Sequence, residues 1–152
     1  MGFILTALKI IIILGFLVLI HEAGHFLIAR LCKIKVNEFS IGFGPLLWSK
    51  QTSKTKYSIR LIPLGGYVNM LGEEERSEEE GSFSKASIPK RIAVVAAGGI
   101  VNIVFAIILY VILIAIMTGD FIKAISSTGN FVWSMVESIK LLFTGGVTVD
   151  NL

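Results

Sequence analysis

Two stretches of this chain are long and apolar enough to cross a lipid bilayer, and they constrain the fold more than any other feature. One covers about residues 3–31, and the other covers residues 92–117 without a single charged side chain. About 20 helical residues are enough to span the hydrocarbon of a bilayer. Because hydrocarbon offers no partner for free backbone groups, both stretches are predicted to be helical. The predicted fold class is an α-helical membrane protein with two transmembrane helices.

The composition agrees with a membrane location. Of the 152 residues, 54% are hydrophobic and only 16% are charged, whereas soluble domains have about 45–50% and about 25%. A disordered chain and an ordinary soluble enzyme are therefore excluded. The single cysteine, Cys32, excludes an internal disulfide. The net charge of +3 is small, and no basic–aromatic alternation is present, so no nucleic-acid partner is predicted.

The charges predict how the chain lies in the membrane. Of the 14 Lys and Arg residues, 11 lie in residues 30–91, and the positive-inside rule places that loop in the cytoplasm. A signal peptide is an alternative for the first stretch, but a basic start and a small-residue cleavage site are both missing. Residues 119–152 are predicted to lie outside, with a possible amphipathic helix over residues 131–143.

The residues that indicate a chemical function lie in the sequence His21-Glu22-Ala23-Gly24-His25. A spacing of four places both imidazoles on one helical face, where their nitrogens can share one Zn²⁺. Glu22 is close enough on the helix to act as the base that takes a proton from a zinc-activated water. The alternative is a chance pentapeptide with merely hydrogen-bonded histidines. Ionisable groups inside a membrane helix are costly, which favours the metal site.

Several further blocks follow this motif in order. They are Phe39-Ser40-Ile41-Gly42-Phe43-Gly44-Pro45, Ile59 to Val68, Phe83-Ser84-Lys85, and Arg91 to Asn102. Together with the histidine motif, this ordered set resembles the site-2 protease family of intramembrane zinc metalloproteases, peptidase family M50, and in particular its bacterial RseP/RasP type. The resemblance covers about residues 1–118, the predicted membrane core, with spans at 3–31 and 92–117 and a loop at 32–91.

The resemblance implies a β-hairpin in that loop that dips back into the membrane from the cytoplasmic side. The residues themselves agree, because Tyr57, Ile59 and Leu61 alternate with polar neighbours as in a half-buried strand. Residues 52–56 would form the tip of the hairpin. An exposed strand edge could bind an unwound substrate through its main chain. The candidate substrate-binding glycines of this region are Gly42, Gly44, Gly65 and Gly66.

Asn102 is a polar residue inside the second apolar span. Two roles stay open for it, a hydrogen bond between helices and the substrate contact that the resemblance implies. The adjacent Gly98-Gly99 pair allows close helix packing. The family usually has Gly-Pro here, so Gly99 departs from the pattern and removes an expected kink.

A third zinc ligand is missing from the sequence. Catalytic zinc takes three protein ligands, and the resemblance implies an Asp in an L-D-G motif on a later helix. Asp120 and Asp150 do not fit that motif. The PDZ domain of the family, which needs about 80–100 residues, has no room after Met117. The chain therefore looks truncated, and a missing C-terminal part or a partner chain would have to supply the ligand.

Two functions remain. The first is a zinc-dependent intramembrane endopeptidase of the bacterial cell membrane, with its active site toward the cytoplasm. It would cleave membrane-spanning substrates such as anti-sigma factors or signal-peptide remnants, with His21 and His25 as ligands and Glu22 as base. The second is a truncated, non-catalytic membrane remnant that binds partners or substrates.

Overall fold

The computed structural model describes residues 2–144, so residues 145–152, including Asp150, lie outside the described residues. Its elements, in chain order, are helix α1 (Gly2–Leu31), strands β1 (Val36–Gln51) and β2 (Lys56–Met70), and helices α2 (Ile88–Thr118) and α3 (Phe121–Thr144). Helices α1 and α2 are long and apolar enough to cross a membrane. At 1.5 Å per residue, each is about 45 Å long. The prediction of two apolar helices joined by a hairpin is confirmed.

The chain divides into two compact units between Ile103 and Val104. The second unit contains the rest of α2 and helix α3, where Tyr110 stacks on Phe131 with ring centroids 5.0 Å apart. The amphipathic segment predicted at residues 131–143 is part of the longer helix α3.

Asp120 has a structural role at the start of α3. Its side chain accepts a hydrogen bond of 3.0 Å from the backbone N–H of Lys123. Such a bond satisfies one of the free N–H groups of the first helical turn. The structure therefore gives Asp120 a capping function at the start of α3.

In the first unit, β1 and β2 are antiparallel partners that bend so strongly that they form four adjacent segments. Residues 38–41 pair on one side with residues 66–69 and on the other with residues 56–59. Residues 48–51 then pair with residues 56–59 from the outside. Several register shifts accompany these bends, as expected where bulges curve a strand. One edge of the sheet is thus the end of β2, and the other is the end of β1.

The sheet packs against α1 along much of the helix. Near the end of α1, the buried core contains Ala29, Ile34, Val36, Val68, Met70 and Val94. Far from that end, a Cβ on Gly15 would collide with the carbonyl oxygen of Pro63. Gly15 lies 16 residues before Leu31, so this contact is about 24 Å from the end of the helix. The bend of β2 therefore reaches the middle of the predicted membrane span.

A group of charged and polar side chains fixes the bent sheet. Glu38 pairs with Arg60 at 3.2 Å and with Lys56 at 3.8 Å, and it accepts a hydrogen bond of 2.6 Å from Ser58. Arg60 also donates to the hydroxyl of Tyr67 at 2.8 Å. Glu38 on β1 thus links both halves of β2. Its side chain is only 17% exposed, so removing its charge leaves partners without compensation.

Glu38 makes the stability of the sheet depend on pH. Burial raises the pKa of Glu38, but hydrogen bonds from Ser58, Tyr67 and Arg60 and the charge of Lys56 outweigh burial. The pKa of Glu38 therefore lies below its ordinary value of 4.5. A lowered pKa contributes stability above pH 4.5, and that contribution is lost as the pH falls through the folded-state pKa.

We expect Glu38→Gln to lower the free energy of unfolding at neutral pH by about 2 kcal/mol, because hydrogen bonds to a charged group are lost. The difference from the unsubstituted chain should shrink below pH 4.5. Detergent-induced unfolding, followed at both pH values, measures this effect. Glu80→Gln, at an exposed loop position, is the control. An equal loss of stability in the two variants would contradict the role of Glu38.

Candidate metal centre

His21 and His25 lie one turn apart on α1, with ring centroids 4.8 Å apart. Both rings are half-buried and face the glycine Gly98 of α2. A Cβ built on Gly98 would lie 2.6 Å from the Nε2 atoms of both histidines. The two nitrogens therefore converge on one common space beside Gly98, which a side chain at residue 98 would enter. The predicted pairing of His21 with His25 agrees with this geometry.

The second ring nitrogen of His25 identifies its tautomer. Nδ1 of His25 lies 2.7 Å from the carbonyl oxygen of Val94. A carbonyl oxygen only accepts hydrogen bonds, so Nδ1 carries the proton in the neutral ring. Nε2 then has a free lone pair on the side of the common space. Such a hydrogen bond behind a histidine orients the ring for metal binding.

Asn102 lies behind His21, where its side chain can take the corresponding part. Its side-chain nitrogen lies 3.4 Å from Nδ1 of His21, and its oxygen is buried without a hydrogen-bond partner. A half-turn of the amide exchanges these two atoms, which are distinguished only by their hydrogen bonds. After the exchange, the oxygen accepts the proton of Nδ1 and is no longer unpaired. Nε2 of His21 is then free for a metal, as in His25.

This arrangement predicts a specific effect of Asn102 on metal affinity. We expect Asn102→Leu to weaken zinc binding by about 10- to 100-fold, the usual effect of losing such a partner. Asn102→Asp should retain binding, because a carboxylate accepts the same proton. Zinc competition with a fluorescent chelator measures both variants. Equal affinity of the leucine variant and the unsubstituted chain would instead favour a substrate role for Asn102.

Glu22 lies between the histidines and the edge of the sheet. The backbone of Val68, on the outer segment of β2, forms a hydrogen bond with the Glu22 side chain. A Cβ on Gly66 would lie 3.6 Å from Cγ of Glu22 and would collide with the carbonyl oxygen of Ser40. Gly66 thus lets β2 approach its partner strand, and it lies beside Glu22. The structure brings the predicted base next to a strand edge.

The four candidate glycines differ in position. Gly42 and Gly44 have positive φ angles of 84° and 80° in the bend of β1, and Gly65 has a φ of 140° beside the ring of Phe43. Gly66 lies beside Glu22, since a Cβ on it would be 3.6 Å from Cγ of Glu22. All four are needed for the bent backbone, so their geometry has a structural reason independent of substrate.

A third ligand is not found in residues 2–144, where no group of three or more His, Cys, Asp or Glu side chains could hold a metal ion. Three parts of the site were missed by sequence reasoning: the carbonyl of Val94, the space at Gly98 and the hydrogen bond from Val68. Backbone groups have no side-chain signature. Only the Gly98-Gly99 pair offered a signal, and it indicates close packing rather than a metal site.

Two histidines one turn apart, with converging Nε2 atoms and an adjacent glutamate, are the arrangement of the zinc-metallopeptidase class. Residues 9–152 match the sequence profile of Peptidase family M50. The chain belongs to this family, and it is thus a metalloprotease homologue. Similar proteins include one from Clostridium acetobutylicum named as a zinc metalloprotease, 46% identical over 67% of this chain. Another is the regulator of sigma-E protease RseP of Escherichia coli, 44% identical over 72% of this chain.

A similarly named zinc metalloprotease of Fusobacterium nucleatum is 48% identical over 69% of this chain. The matched region covers 30% of the Clostridium protein, 31% of the Fusobacterium protein and 26% of RseP. The chain thus spans about a third or less of the length of these relatives. Because the family profile, RseP and two proteins named as zinc metalloproteases all match this chain, the resemblance predicted from the ordered sequence blocks is confirmed.

Proposed function

We propose that this chain forms the histidine-bearing part of an intramembrane zinc endopeptidase that cleaves membrane-spanning proteins. The observation that carries the proposal is the pair of Nε2 atoms, both 2.6 Å from one point beside Gly98. His21 and His25 would hold the zinc, oriented by Asn102 and Val94. When bound, zinc supplies polarisation of the scissile carbonyl and activation of water.

Glu22 would act as the general base in this reaction. Its carboxylate is held by the Val68 backbone, at the edge of the sheet and one residue from His21. A base in such a position takes a proton from water and returns it to the leaving amine. Holding the carboxylate in place before substrate arrives reduces the entropy cost of the reaction.

The end of β2 next to Glu22 suggests how substrate is held. A helical substrate hides its amide groups, so it must be unwound before hydrolysis. An extended substrate segment adds to a sheet edge through main-chain hydrogen bonds. Gly66 lies at that edge beside Glu22. Gly42, Gly44 and Gly65 would contribute by shaping the bend. Anti-sigma factors or signal-peptide remnants are the proposed substrates.

The proposed location is a bacterial cell membrane, with α1 and α2 as spans and the sheet and metal site on the cytoplasmic side. The excess of Lys and Arg in the loop supports this orientation. The predicted membrane core 1–118 and external segment 119–152 stay part of the proposal. A third ligand from further C-terminal sequence or from a partner chain would complete the zinc site.

Zinc stoichiometry in protein purified from its own membranes tests the proposal. We expect one zinc ion per chain that survives mild chelation. His21→Ala should lose it because one ligand is removed. Thr6→Ala, near the other end of the same helix, is the matched control. Zinc that is substoichiometric and washes out equally from all three proteins would favour the non-catalytic remnant.

A further inference from the structure

A cavity of about 460 Å³ opens at the C-terminal end of α1, and we call it the basic cavity. It is lined by Arg30, Lys33, Ile34, Lys35, Asn37, Ser53 and Lys54. Four of the seven lining residues are cationic, and none is acidic. Such a concentration of like charge is unfavourable without an anion nearby.

The charges of the basic cavity are poorly compensated by the protein. In the described part of the chain, only Lys35 among the four forms an ion pair, with Glu79 at 3.5 Å, and both side chains are mostly exposed. Exposed pairs of this kind contribute little. The C-terminus of α1 adds about half a negative charge, far less than four positive charges. The basic cavity therefore keeps a large positive surplus.

The tip of the hairpin is held rigidly beside the helix end. Thr55 donates a hydrogen bond of 2.9 Å to the carbonyl of Val36 and lies 3.5 Å from the Arg30 guanidinium. The hydroxyl of Thr52 closes the tip through a bond of 2.6 Å to the carbonyl of Thr55. The backbone at Lys54 is thus held close to Arg30 at the end of α1. The fixed backbone keeps the attachment points of these cations together before an anion arrives, which lowers the cost of assembling the site.

The position of the basic cavity along α1 suggests which anion it takes. The cavity begins where the apolar run of α1 ends, and Leu27 and Leu31 beside it are 55% and 76% exposed. A cationic site next to exposed apolar side chains at the end of a membrane span lies at the level of lipid headgroups. We propose that the basic cavity binds the phosphate group of an anionic phospholipid. This inference rests on the proposed membrane location of α1.

The test uses the full chain reconstituted in phosphatidylcholine vesicles with a minor fraction of spin-labelled phosphatidylglycerol. The immobilised fraction of the label gives the relative association constant of the anionic lipid. We expect Lys33→Gln/Lys54→Gln to lower this constant about 25-fold, since each cation near an anionic surface contributes about fivefold. Lys33→Arg/Lys54→Arg should retain it. Arg76→Gln/Lys85→Gln removes the same charge from the loop between β2 and α2, outside the cavity lining, and should change it little.

Each of the following outcomes would overturn the proposal. An equal fall in the Arg76→Gln/Lys85→Gln variant would show that only net charge matters. Inorganic phosphate that binds in pure phosphatidylcholine vesicles, and that phosphatidylglycerol does not displace, would assign the cavity to a soluble phosphate compound. Protein that floats with the vesicles but has no lipid preference would refute the lipid site alone. Protein that does not float would refute the membrane location as well.

Discussion

Replacing Gly98 by alanine is expected to abolish tight zinc binding while leaving both long helices folded. The new methyl carbon would lie 2.6 Å from Cε1 and Nε2 of His21 and from Nε2 of His25. Real Cβ atoms do not approach other heavy atoms so closely. The methyl group would therefore occupy the space that both imidazoles border. We expect the zinc affinity to fall by about 100-fold or more, a larger loss than a missing outer partner causes.

The surrounding contacts make it difficult for the structure to adapt. The two rings are tethered from behind by Asn102 and Val94. The helices are already in close contact, because a Cβ on Gly24 of α1 would lie 2.8 Å from the carbonyl oxygen of Ala97. Neither a rotation of the rings nor a small separation of the helices is free of cost. The clash is thus expected at the metal site itself.

The neighbouring residue provides a matched control. A Cβ on Gly99 would meet nothing within 4 Å, so Gly99→Ala adds a methyl group without a clash. Alanine in place of a glycine inside a helix is favourable by up to about 1 kcal/mol. Zinc content per chain and helical circular dichroism measure both variants. If the two alanine variants retained equal amounts of zinc, the common space beside Gly98 would not be the metal site.

The helices and the histidine pair were predictable because their signals are local. The apolar length of α1 and α2 fixes helical structure, and a spacing of four places His21 and His25 on one face. The sheet was harder to predict. Its alternating pattern indicated short strands. It did not indicate that residues 38–41 pair with two segments of β2, one on each side. Pairing between distant residues leaves no local pattern, and the bulges that bend the strands hide the alternation.

The rest of the site depends on how distant segments pack. Asn102 lies 81 residues from His21 in sequence, and its contact arises only because α2 packs closely on α1. Val94 contributes a backbone carbonyl, which any residue could supply. Val68 contributes a backbone N–H, which any residue other than proline could supply. The sequence therefore indicates the proposed zinc ligands and the proposed base. It does not indicate the groups that orient them.

Replacing Glu22 by glutamine is expected to stop cleavage while keeping the fold and the zinc. Glutamine has the same shape as glutamate, and its amide oxygen can accept the hydrogen bond that joins Glu22 to the Val68 backbone. It cannot take a proton from water. Because a positioned general base contributes about 10²- to 10⁴-fold to a rate, we expect kcat to fall by that factor.

The measurement is cleavage of a membrane-spanning reporter in cells whose native protein carries Glu22→Gln. Equal protein levels and equal zinc content would show that the loss concerns chemistry rather than folding, which separates this variant from Gly98→Ala. Glu80→Gln, on the exposed loop, should cleave normally. Undiminished cleavage by Glu22→Gln would refute the assigned base, and the hydrogen bond with Val68 would then have only a structural role in joining α1 to the sheet.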